Sequence, residues 1–132
     1  MANGGSADRC YDSRGSYFFA GSGSGGRIAV HARTTTFRGV MGAYGGVNAY
    51  DSAAAYISAA GTIYISLMNS SDTLKRRVII DNNNRFSNCV TLLNDRRCYN
   101  VDVLTVRKGG VFGIDSKMYG ESIIVTRFLE VS

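Results

Sequence analysis

The side chains with the most capacity for chemistry in this chain are cationic. Lys75-Arg76-Arg77 is its only run of three like charges, and Arg96-Arg97 forms a second, shorter cluster. Tyr64, Phe86 and Tyr99 lie near them in sequence. Guanidinium and ammonium groups hold phosphate, sulfate or carboxylate, and aromatic rings add stacking faces. Lys75, Arg76, Arg77, Arg96 and Arg97 are therefore a candidate anion patch, suited to a sulfated glycan or another polyanion. Nucleic acid is disfavoured because no RNA-binding signature accompanies the patch. A solvated loop is the structural alternative.

His31 is the single histidine, and it stands between Arg27 and Arg33. A general base needs an orienting partner, and no carboxylate lies close in sequence, so His31 reads as a surface residue. Polysaccharide-cleaving enzymes commonly use paired carboxylates, whereas Asp51, Asp72, Asp81, Asp95, Asp102, Asp115, Glu121 and Glu130 are spread singly. No catalytic set is assigned on that ground, and a carbohydrate-active site assembled from stacked coils is kept as an alternative. Asp81, followed by three asparagines, suits a turn in which its side chain bonds the backbone two residues on. Gly21, Gly23 and Gly26 satisfy the glycine spacing of a dinucleotide loop, but a strand follows where a helix is required. No cofactor is implied.

Cys10, Cys89 and Cys98 are the three cysteines. The wide gap between Cys89 and Cys98 does not suit zinc, whose paired ligands usually sit close together. No metal site is assigned. Cys89 and Cys98 could staple a loop, leaving Cys10 unpaired. A disulfide requires an oxidising compartment, while Met1 to Ser6 shows no apolar signal core. The sequon at Asn69 is a candidate glycosylation site. Either the chain is cytoplasmic with free thiols, or it belongs to a longer secreted protein.

The elements that position these residues are short strands. The chain has 132 residues, with 16 glycines and no proline, and a formal net charge of +5 from twelve arginines and three lysines set against its acids. Glycine supplies turns, and the lack of proline leaves each backbone N–H available to a ladder. No stretch approaches the roughly 20 apolar residues of a membrane helix. In Arg27 to Arg33 and in Thr62 to Leu67 apolar and polar residues alternate, as in half-buried strands. Ile28 and Val30 take the apolar face of the first, and Ile63, Ile65 and Leu67 are expected to point inward in the second. Arg27, His31, Arg33, Thr62, Tyr64 and Ser66 take the opposite faces, which makes them candidate ligand-facing residues. Further strands are predicted at Tyr17 to Ala20, Arg77 to Asp81, Val101 to Val106, Val111 to Ile114, Ile123 to Val125 and Phe128 to Val131. Asp51 to Gly61 has the signals of a short helix or a small-residue loop.

Short strands recurring at intervals between glycine corners predict an all-β chain. The favoured form is a right-handed parallel β-helix, or solenoid, fragment, with an antiparallel β-sandwich as the alternative. Gly23-Ser24-Gly25-Gly26-Arg27-Ile28-Ala29-Val30, Phe37-Arg38-Gly39, Ala43-Tyr44-Gly45-Gly46 and Ala60-Gly61-Thr62-Ile63-Tyr64-Ile65, with the hydrophobic-Asp-Asn turn at Val78 to Asn83, resemble the glycine-rich, pectin-lyase-like parallel β-helix repeat regions of large extracellular adhesin-like and matrix-like proteins. That resemblance implies a non-catalytic structural or adhesion module of a larger extracellular protein. Residues 1–20 would be a loosely ordered leader, and residues 21–132 one solenoid domain with a cysteine-bounded loop at 85–99. Partners would be neighbouring domains or other copies, met through open solenoid ends, and possible glycans or polyanions, with no membrane span. The alternatives are a carbohydrate-binding or carbohydrate-active β-helix protein and an anion-binding domain using the arginine loops.

Overall fold

The computed structural model describes residues 1–7, 9–11, 13–19, 21–47, 57–68, 73–92, 99–113, 124–125 and 128–131. In chain order the strands are β1 (Arg9–Tyr11), β2 (Tyr17–Phe19), β3 (Arg27–Ala32), β4 (Thr62–Met68), β5 (Leu74–Asp81) and β6 (Thr91–Leu92). They continue with β7 (Tyr99–Asn100), β8 (Val103–Arg107), β9 (Phe112–Gly113), β10 (Ile124–Val125) and β11 (Phe128–Val131). Five of them form the main sheet, in the order β11-β8-β5-β4-β3. The rest pair as β1 with β2, β6 with β9 and β7 with β10.

The all-β class holds, but neither expected architecture does. β3 with β4, β5 with β8 and β8 with β11 are parallel. At the centre of the sheet β4 and β5 are antiparallel, with Ile63 opposite Ile79 and Met68 opposite Leu74. A β-helix needs successive coils to run the same way, so this reversal rules out the solenoid predicted for residues 21–132. The sheet is mixed, and it is neither closed nor strongly curled. The parallel pairs equally rule out the antiparallel sandwich. The physical reason lies in the 69–73 connection. A parallel return takes about a dozen residues or more, and this link is long enough only for a hairpin.

Strand alternation assigns the two faces of the sheet. Tyr64, Val78 and Leu104 are in direct register, as are Ile80 and Val106. Val78, Ile80, Leu104 and Val106 join Ala60 and Val101 in the buried core, with Tyr64 and Phe112 against it. Ile80 is fully buried, and burying one such side chain stabilises a fold by about 1.5–3 kcal/mol. Side-chain bonds to backbone tie the 87–91 segment to the 57–61 segment that carries Ala60. Thr91 Oγ1 donates to Ala60 O at 2.6 Å, and Ser87 Oγ donates to Ile57 O.

Segments rich in glycine and other small residues at 1–7, 21–26, 42–47 and 57–61 bond to one another backbone to backbone. Gly4 N donates to Tyr44 O at 2.8 Å, Gly46 N to Gly23 O at 2.8 Å and Gly61 N to Ala43 O at 2.6 Å. A Cβ on Gly61 would lie 1.8 Å from Gly26 O, so a side chain there would force the backbones apart. Residues 57–61 form neither helix nor strand; the remainder of the Asp51 to Gly61 stretch lies outside the described residues. Among the described residues no helix is long and apolar enough to cross a membrane.

Cys89 is a free, exposed thiol, which corrects the expected Cys89–Cys98 staple. Cys98 lies outside the described residues. Cys89 is held by its own turn, where its N–H donates to Ser87 Oγ at 3.0 Å.

Candidate functional site

A groove of about 1010 Å³ opens on the face of the sheet opposite the core. Its position follows from register. Val30, Ile65, Arg77 and Val103 lie in one line across four strands, and Ala32, Leu67 and Lys75 in the next. Ile65, Leu67 and Val103 supply an apolar floor. On β5, Arg77 stands between Ile65 and Val103, and Lys75 is opposite Leu67; Arg33, just past the end of β3, lines the groove with Thr34 and Thr35. An apolar floor with convergent charged groups is the usual make-up of a ligand site, and the volume is at the upper end of the common range of about 300–1,000 Å³.

Alternation divides the Lys75-Arg76-Arg77 run. Lys75 and Arg77 share the groove face. Arg76 pairs with Ser66, of the opposite parity, yet it also lines the groove at the end where Asp102 engages it. Its backbone N–H donates to Asp102 Oδ2 at 2.8 Å, its Nε lies 3.6 Å from the same oxygen, and Asp102 N donates back to Arg76 O at 2.8 Å. This clasp fixes the start of β8 against β5 and closes one end of the groove. Arg96 and Arg97, the other half of the expected patch, lie outside the described residues, as does Asn69.

The six candidate ligand-facing residues come together in part. Arg27 is paired with Thr62, and His31 with Ser66. The His31 and Tyr64 rings meet with centroids 5.4 Å apart and planes tilted by 49°. Arg27, His31 and Arg33 are exposed, Thr62 and Tyr64 are half-buried, and Ser66 is buried. The face is therefore open at the β3 edge and runs into the core toward β5, so Tyr64 and Ser66 lie on the core side, not outward as expected, and Ile65 and Leu67 face the groove. Arg33 turns away from this set to line the groove.

The remaining polar clusters hold the fold. Asp81 is buried and accepts from Arg107 Nε at 2.8 Å and from Asn83 N at 2.8 Å, the turn geometry expected from Asp81-Asn82-Asn83. Asn82 is fully buried. Arg85 donates from Nη1 to Gly45 O at 2.5 Å, with its guanidinium carbon 5.9 Å from the Tyr44 ring centroid. Among the described residues no group of three His, Cys, Asp or Glu side chains is placed to hold a metal ion.

Sequence reasoning missed Thr34, Thr35, Ile65, Leu67 and Val103 as groove residues. The period-two pattern of β5 could have paired Lys75 with Arg77, but only the β4–β5 register brings Ile65 and Leu67 beside them.

Comparisons with protein families, with curated proteins and with solved structures find no match. Together with the antiparallel β4–β5 pair, this overturns the resemblance to glycine-rich parallel β-helix repeats.

Proposed function

We propose that this protein is a non-catalytic binding module that holds an anionic ligand with an apolar portion in the sheet groove. The observation that carries the reading is the convergence of Arg33, Lys75 and Arg77 on the floor of Ile65, Leu67 and Val103. Cations beside apolar surface attract an anion electrostatically and take up its apolar portion by burial. Sulfated glycans and other polyanions remain within this ligand class.

The test uses an aromatic sulfonate dye, anilinonaphthalene sulfonate, whose fluorescence rises on binding. The folded protein enhances it saturably at low salt, and Lys75→Glu with Arg77→Glu weakens binding about tenfold or more. Enhancement unchanged in that variant, with its circular dichroism intact, would refute the groove as the site. Displacement of the dye by a sulfated oligosaccharide narrows the ligand class.

A second reading, a structural or adhesive module within a longer extracellular protein, is favoured by the glycine-rich layer. Its backbone-to-backbone bonding builds a scaffold from segments with few bulky side chains.

A further inference from the structure

β3 is the outermost strand of the main sheet, and among the described residues no strand pairs with its outer edge. Which backbone groups face outward follows from the β3–β4 ladder. Gly26 O accepts from Thr62 N at 3.2 Å, and in a parallel pair alternate residues of one strand make its bonds to the neighbour. Ile28, Val30 and Ala32 therefore bond to β4. The N–H and C=O groups of Arg27, Ala29 and His31 point away from it, toward the open edge.

Side chains follow the same rhythm. Arg27, Ala29 and His31 are exposed on one face, and Ile28, Val30 and Ala32 are half-buried on the other. Natural edges are commonly blunted by bulges, proline or inward-pointing charge. β3 keeps unbroken register with β4 through all six residues, and the chain has no proline.

We propose that the β3 edge binds an extended segment of a partner protein by strand addition. The segment carries acidic residues beside Arg27 and Arg33 and apolar residues beside Ile28, Val30 and Ala32. Main-chain pairing supplies affinity in this mode, and the alternating side chains supply specificity. Charge decides between occupants. A second copy pairing antiparallel about Val30 would set Arg27 opposite Arg33, and like charges directly opposed are destabilising. The net charge of +5 adds to that repulsion. An acidic-apolar segment meets neither obstacle. The site shares Arg33 with the groove but is otherwise separate from it, since it uses edge backbone groups and Arg27 rather than Lys75 and Arg77.

The experiment is fluorescence anisotropy with a dye-labelled peptide of alternating glutamate and valine, matched to the six residues of β3. Saturable binding is expected, weakened about tenfold or more by Arg27→Glu and by Ala29→Pro, which removes an outward N–H. N-methylating alternate amides of the peptide abolishes binding with the protein unaltered, so the result stands even where Ala29→Pro misfolds. The proposal is overturned by absence of saturable binding. It is equally overturned if the N-methylated peptide or polyglutamate binds as tightly as the parent. Loss of peptide binding in Lys75→Glu with Arg77→Glu would move the peptide to the groove and also overturn it.

Discussion

Asn82 has no part in the candidate site, yet it joins three backbone segments. Its Oδ1 accepts from Gly45 N at 2.8 Å, and its Nδ2 donates to Arg85 O at 2.7 Å and Ser58 O at 3.3 Å. An amide is suited to this position because it offers an acceptor and two donors on one short side chain. Asn82→Ala leaves buried backbone groups without partners, and we expect a loss of about 2–4 kcal/mol in urea unfolding. Asp81→Asn is milder. Arg107 is 43% exposed and recovers hydration, so a loss of about 1–2 kcal/mol is expected, read by the same titration. The Asp81 turn was legible in the sequence because aspartate followed by asparagines favours local side-chain bonding and positive φ. Asn83 and Asn84 do take φ of 54° and 61°. That the first asparagine instead points inward was not legible, because two of its three partners lie 37 and 24 residues away along the chain.

At the scale of elements, β3 and β4 were readable because alternation of aliphatic and polar residues is a local pattern, and β5 and β8 because short aliphatic runs are one too. Their direction was not. Thr62 to Leu67 looks the same from sequence whether its neighbour runs with it or against it. The outcome rests on the 69–73 link, which permits only a hairpin. The solenoid expectation failed at this point, and the groove depends on the same reversal. Antiparallel pairing sets Leu67 against Lys75 and Ile65 against Arg77, so cation and aliphatic rows run side by side. The glycine corners were legible as glycine but not as close contacts. Gly61→Ala is expected to lower stability by about 1–3 kcal/mol or more through the clash with Gly26 O. Ser24→Ala, at an exposed position in the same layer, is expected to change it by under about 0.5 kcal/mol. Thermal unfolding of the two variants side by side checks the contrast.

Across the whole molecule, the core and the groove occupy opposite faces of one sheet. On the core face Ala60, Val101 and Phe112 pack with Val78, Ile80, Leu104 and Val106, while the groove face presents Arg33, Lys75 and Arg77 beside a half-buried aliphatic row. A ligand seated there touches β4, β5 and the chain after β3 together, so its binding free energy adds to the stability of the strands around the β4–β5 reversal. Linkage makes this measurable. A ligand that binds only the folded state stabilises it by about 2.7 kcal/mol at a hundred times its dissociation constant. Saturating sulfonate dye or sulfated oligosaccharide is therefore expected to raise the unfolding temperature by several degrees in calorimetry. Exposed charges are screened beyond a Debye length of about 8 Å at physiological salt, so the upward shift should shrink as salt rises, yet persist in part because apolar burial is insensitive to it. The Lys75→Glu and Arg77→Glu variant should lose the salt-sensitive portion and keep part of the remainder. A shift that vanishes completely with salt in the wild-type chain would mean that Ile65, Leu67 and Val103 take no part, reducing the groove to a surface patch of charge.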